Sequence, residues 1–497
     1  MKNNKRKPLI MLGVAVLAGL LAGCGSKQNM ATYEKLGYVD IAVNNLELHL
    51  DLESENKVLE IESLNTENEL PIQIVSKADA YNVVFDGNEL SEDTEFMYKL
   101  DKIEPEYVIP ISVEDKETGG ITTFMLNTWP EELPQYSVVG SSPYEGDYYI
   151  TPLMNGSGAA YKVDECGNLL YYRYSDKHSF EDFKKVETED GVRYLMFESV
   201  PTEHAPHAYT TVGEYVVFDE QYNELKRLRL AESDVITDTD WPIDQHDVLY
   251  ISDSEYYLIG YVEKNVNNIP DTIPHKEPSS LVVAGVIQGF KNGELVFEWD
   301  STNYPELYED SIEYNDYTNT TDIFADYVHI NSLDLDENDG NLIVSCRMLD
   351  AVLKINTTDG SIIWKLGGVA DSFGLTPEQK TSRQHYARYN PNGSITVYDN
   401  GNINNQSRVV EYWLDEENLS LKDFKVYQVD GYYAWATGSA QRIDNEQDVF
   451  VIGWGYRSAD EVVLFPNMSE INFTTNETLF EFRFKDRSLS TYRCVKY

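Results

Sequence analysis

Gly289-Phe290-Lys291-Asn292-Gly293-Glu294-Leu295-Val296-Phe297-Glu298-Trp299 holds an apolar strand, an Asn-Gly turn and a second strand ending in an aromatic ring. Asn-Gly between alternating apolar residues is a strong short-range hairpin signal. The unit returns along the chain. It runs from Tyr161 to Tyr171 around Asp164-Glu165-Cys166-Gly167, from Val216 to Leu225, from Leu353 to Trp364, from Val410 to Val426 and from Val462 to Phe482. A second hairpin type falls between these six copies, for example Leu335 to Val344 around Asn338-Asp339-Gly340. Two hairpins per unit make four strands, and repeats of this period predict blades of a β-propeller. The expected fold is therefore all-β, a six-bladed β-propeller over residues 136–497.

Upstream the rhythm differs. Leu46-Glu47-Leu48-His49-Leu50-Asp51-Leu52 is apolar at every second position, and the stretch from Asp40 to about Phe124 has no long helical run. Period-2 strands of this kind predict a small antiparallel β-sandwich within residues 24–135. Trp129-Pro130-Glu131-Glu132-Leu133-Pro134 reads as the linker, because its prolines stop strands. The first residues are an address. Lys2, Lys5, Arg6 and Lys7 precede an apolar run from Leu9 to Ala22, closed by Leu21-Ala22-Gly23-Cys24. A spanning helix needs about 20 apolar residues, so this run reads as a signal peptide over residues 1–23.

The 85 acidic side chains against 39 basic ones give a net charge of −46, which excludes nucleic acid as the main partner. It also argues against adsorption to anionic membrane surfaces. Besides Cys24, the chain has only Cys166, Cys346 and Cys494, too few and too irregularly spaced for a disulfide scaffold or a metal site. All three are expected to be buried thiols, with one disulfide between two of them as the alternative.

Three of the eight histidines share one phase of the repeat. His246 lies in Gln245-His246-Asp247, His329 in Val328-His329-Ile330-Asn331, and His385 in Gln384-His385-Tyr386. Each opens the first hairpin of its unit, so equivalent positions around one axis predict that the three imidazoles meet at one mouth of a central channel. Arg347 leaves the strand that pairs with the one carrying His329, which predicts that it lies beside that histidine. Imidazole is a common zinc ligand, but a fixed guanidinium charge stands where the cation would sit, so no metal and no cofactor are expected. An oxyanion fits better, since Arg presents paired donors to it. A neutral imidazole can then act as nucleophile near pH 7.

These segments resemble the bacterial arylsulfate sulfotransferase family. Gln245-His246-Asp247, His329-Ile330-Asn331-Ser332-Leu333-Asp334, Ser345-Cys346-Arg347, Ile363-Trp364-Lys365-Leu366-Gly367-Gly368, Gln384-His385-Tyr386-Ala387-Arg388 and Asp399-Asn400-Gly401 carry the resemblance, which extends from about Tyr144 to Tyr497. It implies transfer of a sulfuryl group from a phenolic sulfate ester to a phenol acceptor, without a nucleotide donor. By the same resemblance His385 is the nucleophile that becomes a sulfohistidine, and His329 is the acid and base. His246, Arg347 and Asn331 hold the sulfuryl group. The closing Leu21-Ala22-Gly23-Cys24 resembles a bacterial lipobox, which implies lipidation of Cys24 and an extracytoplasmic, membrane-anchored protein. The resemblance also implies a homodimer. Tyr386 and Met348 depart from the family pattern, and a ring beside His385 is expected to bear on acceptor access.

The alternative of a different class is a surface lipoprotein propeller that binds an anionic aromatic or carbohydrate ligand without chemistry. Two further motifs read as structural. Pro206 breaks the geometry of His204-Ala205-Pro206-His207 as a ligand pair. Asp334 to Gly340 is like a calcium loop, but its glycine falls one place late and Ser345 replaces the bidentate Glu, so a hairpin turn is expected.

Overall fold

The Asn292-Gly293 turn is built as its sequence demands. It joins Ser280–Lys291 to Glu294–Asp300, with φ of 52° at Asn292 and 80° at Gly293, the left-handed pair that a two-residue hairpin turn needs. The computed structural model describes residues 37–44, 46–201, 211–237, 241–313, 315–321, 325–457 and 465–497. The signal peptide, Cys24, His204 and His207, and the Val462 start of the sixth repeat copy lie outside the described residues. The described residues are all-β and form eight sheets. Among the described residues no helix is long and apolar enough to cross a membrane.

Six of the sheets follow one another through the repeat region. Sheet two holds Phe180–Thr188, Gly191–Ser199, Val212–Phe218 and Glu224–Leu228 in sequence order, each antiparallel to the next. Sheets three, four and five repeat that order, beginning at Val248, Ile330 and His385 respectively. Sheet six runs from Ser439–Asp444 to Glu477–Phe484, and Tyr136–Gly140 joins its outer edge. Sheet one contains Tyr148–Pro152, Gly158–Val163 and Leu169–Ser175, and its first strand is the C-terminal segment Thr491–Lys496. The two ends of the repeat region are thus exchanged between the first and the last sheet. The first strands touch in succession from sheet one to sheet six, and the sixth returns to the first.

Each repeat hairpin read from the sequence forms the third and fourth strands of its sheet. The sixth sits a few residues later than read, over Met468–Asn472 and Glu477–Phe484.

Two further sheets lie N-terminal to these. One orders Leu46–Asp51, Tyr38–Val43, Leu70–Ser76 and Phe96–Tyr98. The other orders Val58–Leu59, Ile121–Asn127, Val108–Asp115, Tyr81–Phe85 and Asn88–Glu89. Alternate residues of both, among them Val39, Ile41, Ile72, Val83, Ile111 and Phe124, enter one apolar core. That core continues into Tyr148, Phe480 and Phe482 of sheets one and six. Ser63–Asn65 also pairs with Leu169–Ser175, so a strand from the N-terminal region extends sheet one. Trp129 of the linker segment is buried, and its Nε1 donates to Leu133 O at 2.9 Å.

Where the first strands meet, the interior is ionic. Asp247 accepts from Lys184 Nζ (2.7 Å) and Arg493 Nη1 (2.9 Å) through Oδ1, and from Arg388 Nη2 (2.8 Å) through Oδ2. Asp182 takes Arg493 Nη1 at 2.8 Å and Lys184 Nζ at 2.8 Å. Burial alone would raise the Asp247 carboxyl, but Arg388, Arg493 and Lys184 hold it well below the usual carboxylate range.

The calcium-like loop is a hairpin turn, as expected. Asp336, Asp339 and Glu416 do converge, but on Lys354 Nζ, at 2.6, 2.8 and 2.8 Å. A buried ammonium stands where a cation would. Cys346 and Cys494 are buried free thiols, as expected, and Cys166 is a correction. It is exposed, because it occupies the Asp164–Gly167 turn, whose tip points to solvent.

Candidate active site

His246, His329, His385 and Arg347 line one cavity of about 1040 Å³. The His246 and His329 rings are 4.7 Å apart, edge to face. Arg347 N donates to His329 O at 2.9 Å, which fixes the arginine beside the second histidine. Arg347 Nη1 also lies 3.4 Å from Glu313 Oε2 and 3.3 Å from Met348 Sδ. The three histidines that share one phase of the repeat thus lie together, and Arg347, placed by strand pairing, lies beside them.

Each imidazole is anchored through Nδ1. Asp244 Oδ1 lies 2.6 Å from His246 Nδ1, and Asp326 Oδ2 lies 2.5 Å from His329 Nδ1. Behind His385 the partner is neutral: Asn400 Oδ1 at 2.7 Å, with Arg383 O at 3.1 Å. Asn400 Nδ2 donates to Ala434 O (2.8 Å) and Thr437 O (3.0 Å), so its oxygen must face the ring. Both neighbours of His385 Nδ1 are acceptors, which puts the proton on Nδ1 and a lone pair on Nε2. Thr437 N–H points at that lone pair from 3.3 Å.

Burial, and after it Arg347, lowers the His385 pKa well below 6.5. Burial also lowers His329, although Asp326 pulls the other way. The set thus holds one imidazole oriented by a neutral amide and two oriented by carboxylates.

Backbone irregularities aim these side chains. His329 has φ of 50° and precedes a bulge between Ile330 and Ser332. Tyr386 has φ of 53° inside the bulge between His385 and Arg388. Asn331 is corrected here. It is the extra residue of its bulge, turned inward, so it is fully buried and its Nδ2 donates to Gln384 O at 2.7 Å. It is not part of the cavity wall and positions the His385 segment from behind. Tyr386 is likewise turned away from the cavity. Its ring lies under Arg388 (3.9 Å) and Arg493 (5.0 Å), so it does not restrict access, whereas Met348 is on the wall.

Other wall groups escaped the sequence reading. Trp435 and Tyr456 meet edge to face at 5.0 Å and are partly exposed, an aromatic lip over the histidines. They sit in connections outside the repeat, which left no period to follow. Glu181 lines the opposite side with Ser179, Ser199 and Gln245. Burial, and then Asp244 and Asp182, pushes its carboxyl up to about 8. Asp244 and Asp326, two and three residues before their histidines, were the available local signal.

Three imidazoles, a guanidinium and an aromatic lip thus share one cavity wall. The family profile described as "Arylsulfotransferase (ASST)" matches residues 153–493, more than half of the chain, and the chain belongs to that family. A search of curated proteins finds no match. Among solved structures, a rhamnogalacturonan lyase has 12% identity and a TM-score of 0.30, covering 86% of this chain and 68% of that one. The Kuenenia stuttgartiensis hydrazine synthase has 10% identity and a TM-score of 0.29, covering 76% and 96%. Likenesses at this level carry no argument about the site.

Proposed function

We propose that this protein transfers a sulfuryl group from a phenolic sulfate ester to a phenol through a covalent intermediate on His385. The observation that carries the reading is the anchoring of His385 in the cavity wall, with Nδ1 set against the acceptors Asn400 Oδ1 and Arg383 O, which leaves the lone pair on Nε2. His385 Nε2 attacks sulfur as the ester S–O bond breaks, and the departing phenolate takes a proton from His329. Because the proton stays on Nδ1, the sulfated ring is cationic and its N–S bond is easily broken. A phenol that gives its proton to His329 then attacks sulfur and restores the free imidazole. His246 and Arg347 supply donors to the sulfuryl oxygens, where charge collects in a loose transition state. Trp435 and Tyr456 hold the aryl rings in turn.

The same reading takes the six successive sheets as blades of a propeller and the two N-terminal sheets as a sandwich packed on it. Its support is the closed succession of first strands and the shared terminal strands. It also includes an extracytoplasmic protein anchored through Cys24.

Incubation with an aryl sulfate and no acceptor tests the chemistry. Intact mass is expected to rise by one sulfuryl group, and a His385→Ala variant is expected neither to gain it nor to release phenol. A protein that binds the ester saturably but gains no mass and releases no phenol is a binding protein, and the transfer mechanism is then wrong.

A further inference from the structure

Next to the catalytic cavity lies a second hollow of about 230 Å³, lined by Arg457, Arg483, Lys485 and Arg487 with Asn467. Four cations gather there on a chain whose net charge is −46. The two spaces are neighbours along the chain: Arg487 lines the smaller one, while Ser488, Leu489 and Ser490 line the catalytic cavity.

Arg457 is the telling residue. It is 4% exposed, and its Nη1 and Nη2 donate to Phe465 O (2.7 Å) and Leu489 O (2.8 Å), while Nε has no partner among the described residues. No carboxylate pairs with it among the described residues. Burial, and then the charge of Arg483, pulls its guanidinium down to about 10. Among the described residues this buried cation has no counter-charge and faces a second cation, an arrangement that is costly unless an anion completes it.

The other groups remain able to reach a ligand. Arg483 uses Nη2 on Glu481 Oε2 at 3.0 Å, Lys485 Nζ donates to Gln135 Oε1 at 2.7 Å, and Arg487 is exposed. Asn467 is spent on the wall, donating to Leu489 O and accepting from Phe484 N.

We propose that this hollow is a second oxyanion site, distinct from the catalytic one, which takes a single free sulfate or phosphate. Arg483 and Arg487 are its exposed donors, and Arg457 is the positive charge beneath them. The hollow has room for one tetrahedral group together with hydration water. The negative charge of the whole molecule disfavours an extended polyanion, whereas screening over about 8 Å lets a local cluster govern a small one. Arginine matches such oxygens with paired donors.

The test is thermal unfolding in sodium sulfate or sodium phosphate against sodium chloride of equal ionic strength. Four proteins are compared: the wild type, an Arg347→Gln variant that disables the catalytic anion site, an Arg483→Gln/Arg487→Gln double variant, and the triple variant that combines these changes. The double variant leaves buried Arg457 intact and changes side chains that reach solvent, so it folds. At an anion concentration about tenfold above the dissociation constant, Tm should rise by roughly 1–2 °C. The rise should persist in Arg347→Gln. In the double variant only the smaller rise from the catalytic site should remain, and combining all three changes should abolish it. General salting-out is common to all variants and cancels. No rise in Arg347→Gln, or an undiminished rise in the triple variant, overturns the proposal. Neither result touches the transfer chemistry, which is read from the mass gained at His385.

Discussion

What separates His385 from the other two histidines is the group behind Nδ1. A carboxylate stands behind His246 and His329, and at His329 it opposes the lowering that burial imposes. An amide oxygen stands behind His385, which orients the ring without adding charge. The nucleophile is therefore kept neutral, and Asp326 offsets part of the proton affinity that burial removes from His329. Asn400 is thus a positioning residue, and Asn400→Ala is expected to lower kcat by about 10–100-fold with little change in KM. Asn400 raises the His385 pKa within a balance that burial and Arg347 pull down. Its loss should therefore move the acidic limb of kcat/KM, already below pH 6.5, further toward acid. A purely structural role would lower stability and leave that limb in place, so a full pH profile of both proteins decides. Residue types and their phase in the repeat were legible in the sequence. The partner atoms were legible only in part: Asp244 and Asp326 are local to their histidines, whereas Asn400 reaches His385 across a hairpin.

Elements explain why the histidines were easier to find than the surfaces that hold the aryl groups. Hairpins carry a period of two and obligatory turn residues, so Asn292-Gly293 could be read directly. Bulges carry no such mark. Asp182, His329 and Tyr386 all take φ near +50° at irregular positions of first strands, conformations that cost about 1–3 kcal/mol for non-glycine residues. The irregularity at Asn331 turned a residue expected at the substrate into a support behind it. The connections are less legible still. Trp435 lies between Ser420–Gln428 and Ser439–Asp444, and nothing in its sequence neighbourhood places it over His385. Its ring supplies aryl contact rather than chemistry. Trp435→Ala is accordingly expected to raise KM for aromatic donor and acceptor by up to about tenfold, the scale of one aromatic pair, while kcat at saturation changes little. Steady-state kinetics with one donor and two phenols of different ring size provide the check, and an equal fall in kcat would move Trp435 into the reacting machinery.

At the scale of the whole molecule the first strands are held together by charge as well as by apolar packing. Asp247 contacts Lys184 of sheet two, Arg388 of sheet five and Arg493 of sheet one, and its Oδ2 accepts Leu333 N of sheet four at 3.1 Å. One carboxylate thus bridges four sheets besides its own approach to the third. Its neighbour His246 lines the cavity, so the ionic centre also fixes the base of the site. Removing the charge strands Arg388, while Lys184 and Arg493 keep Asp182. Breaking a buried pair from one side typically costs about 3–5 kcal/mol, and Asp247→Asn is expected in that range. The loss should appear as a lower urea midpoint at unchanged slope. The sign with pH follows from the depressed carboxyl. Its stabilisation is complete above the unfolded carboxylate value of about 3.9, and it disappears as pH falls toward the folded value. The gap between wild type and Asp247→Asn should therefore be widest near neutrality and close progressively below about pH 4. A gap that stays constant to pH 2 would show that the ring is held by packing and that the carboxylate serves geometry alone.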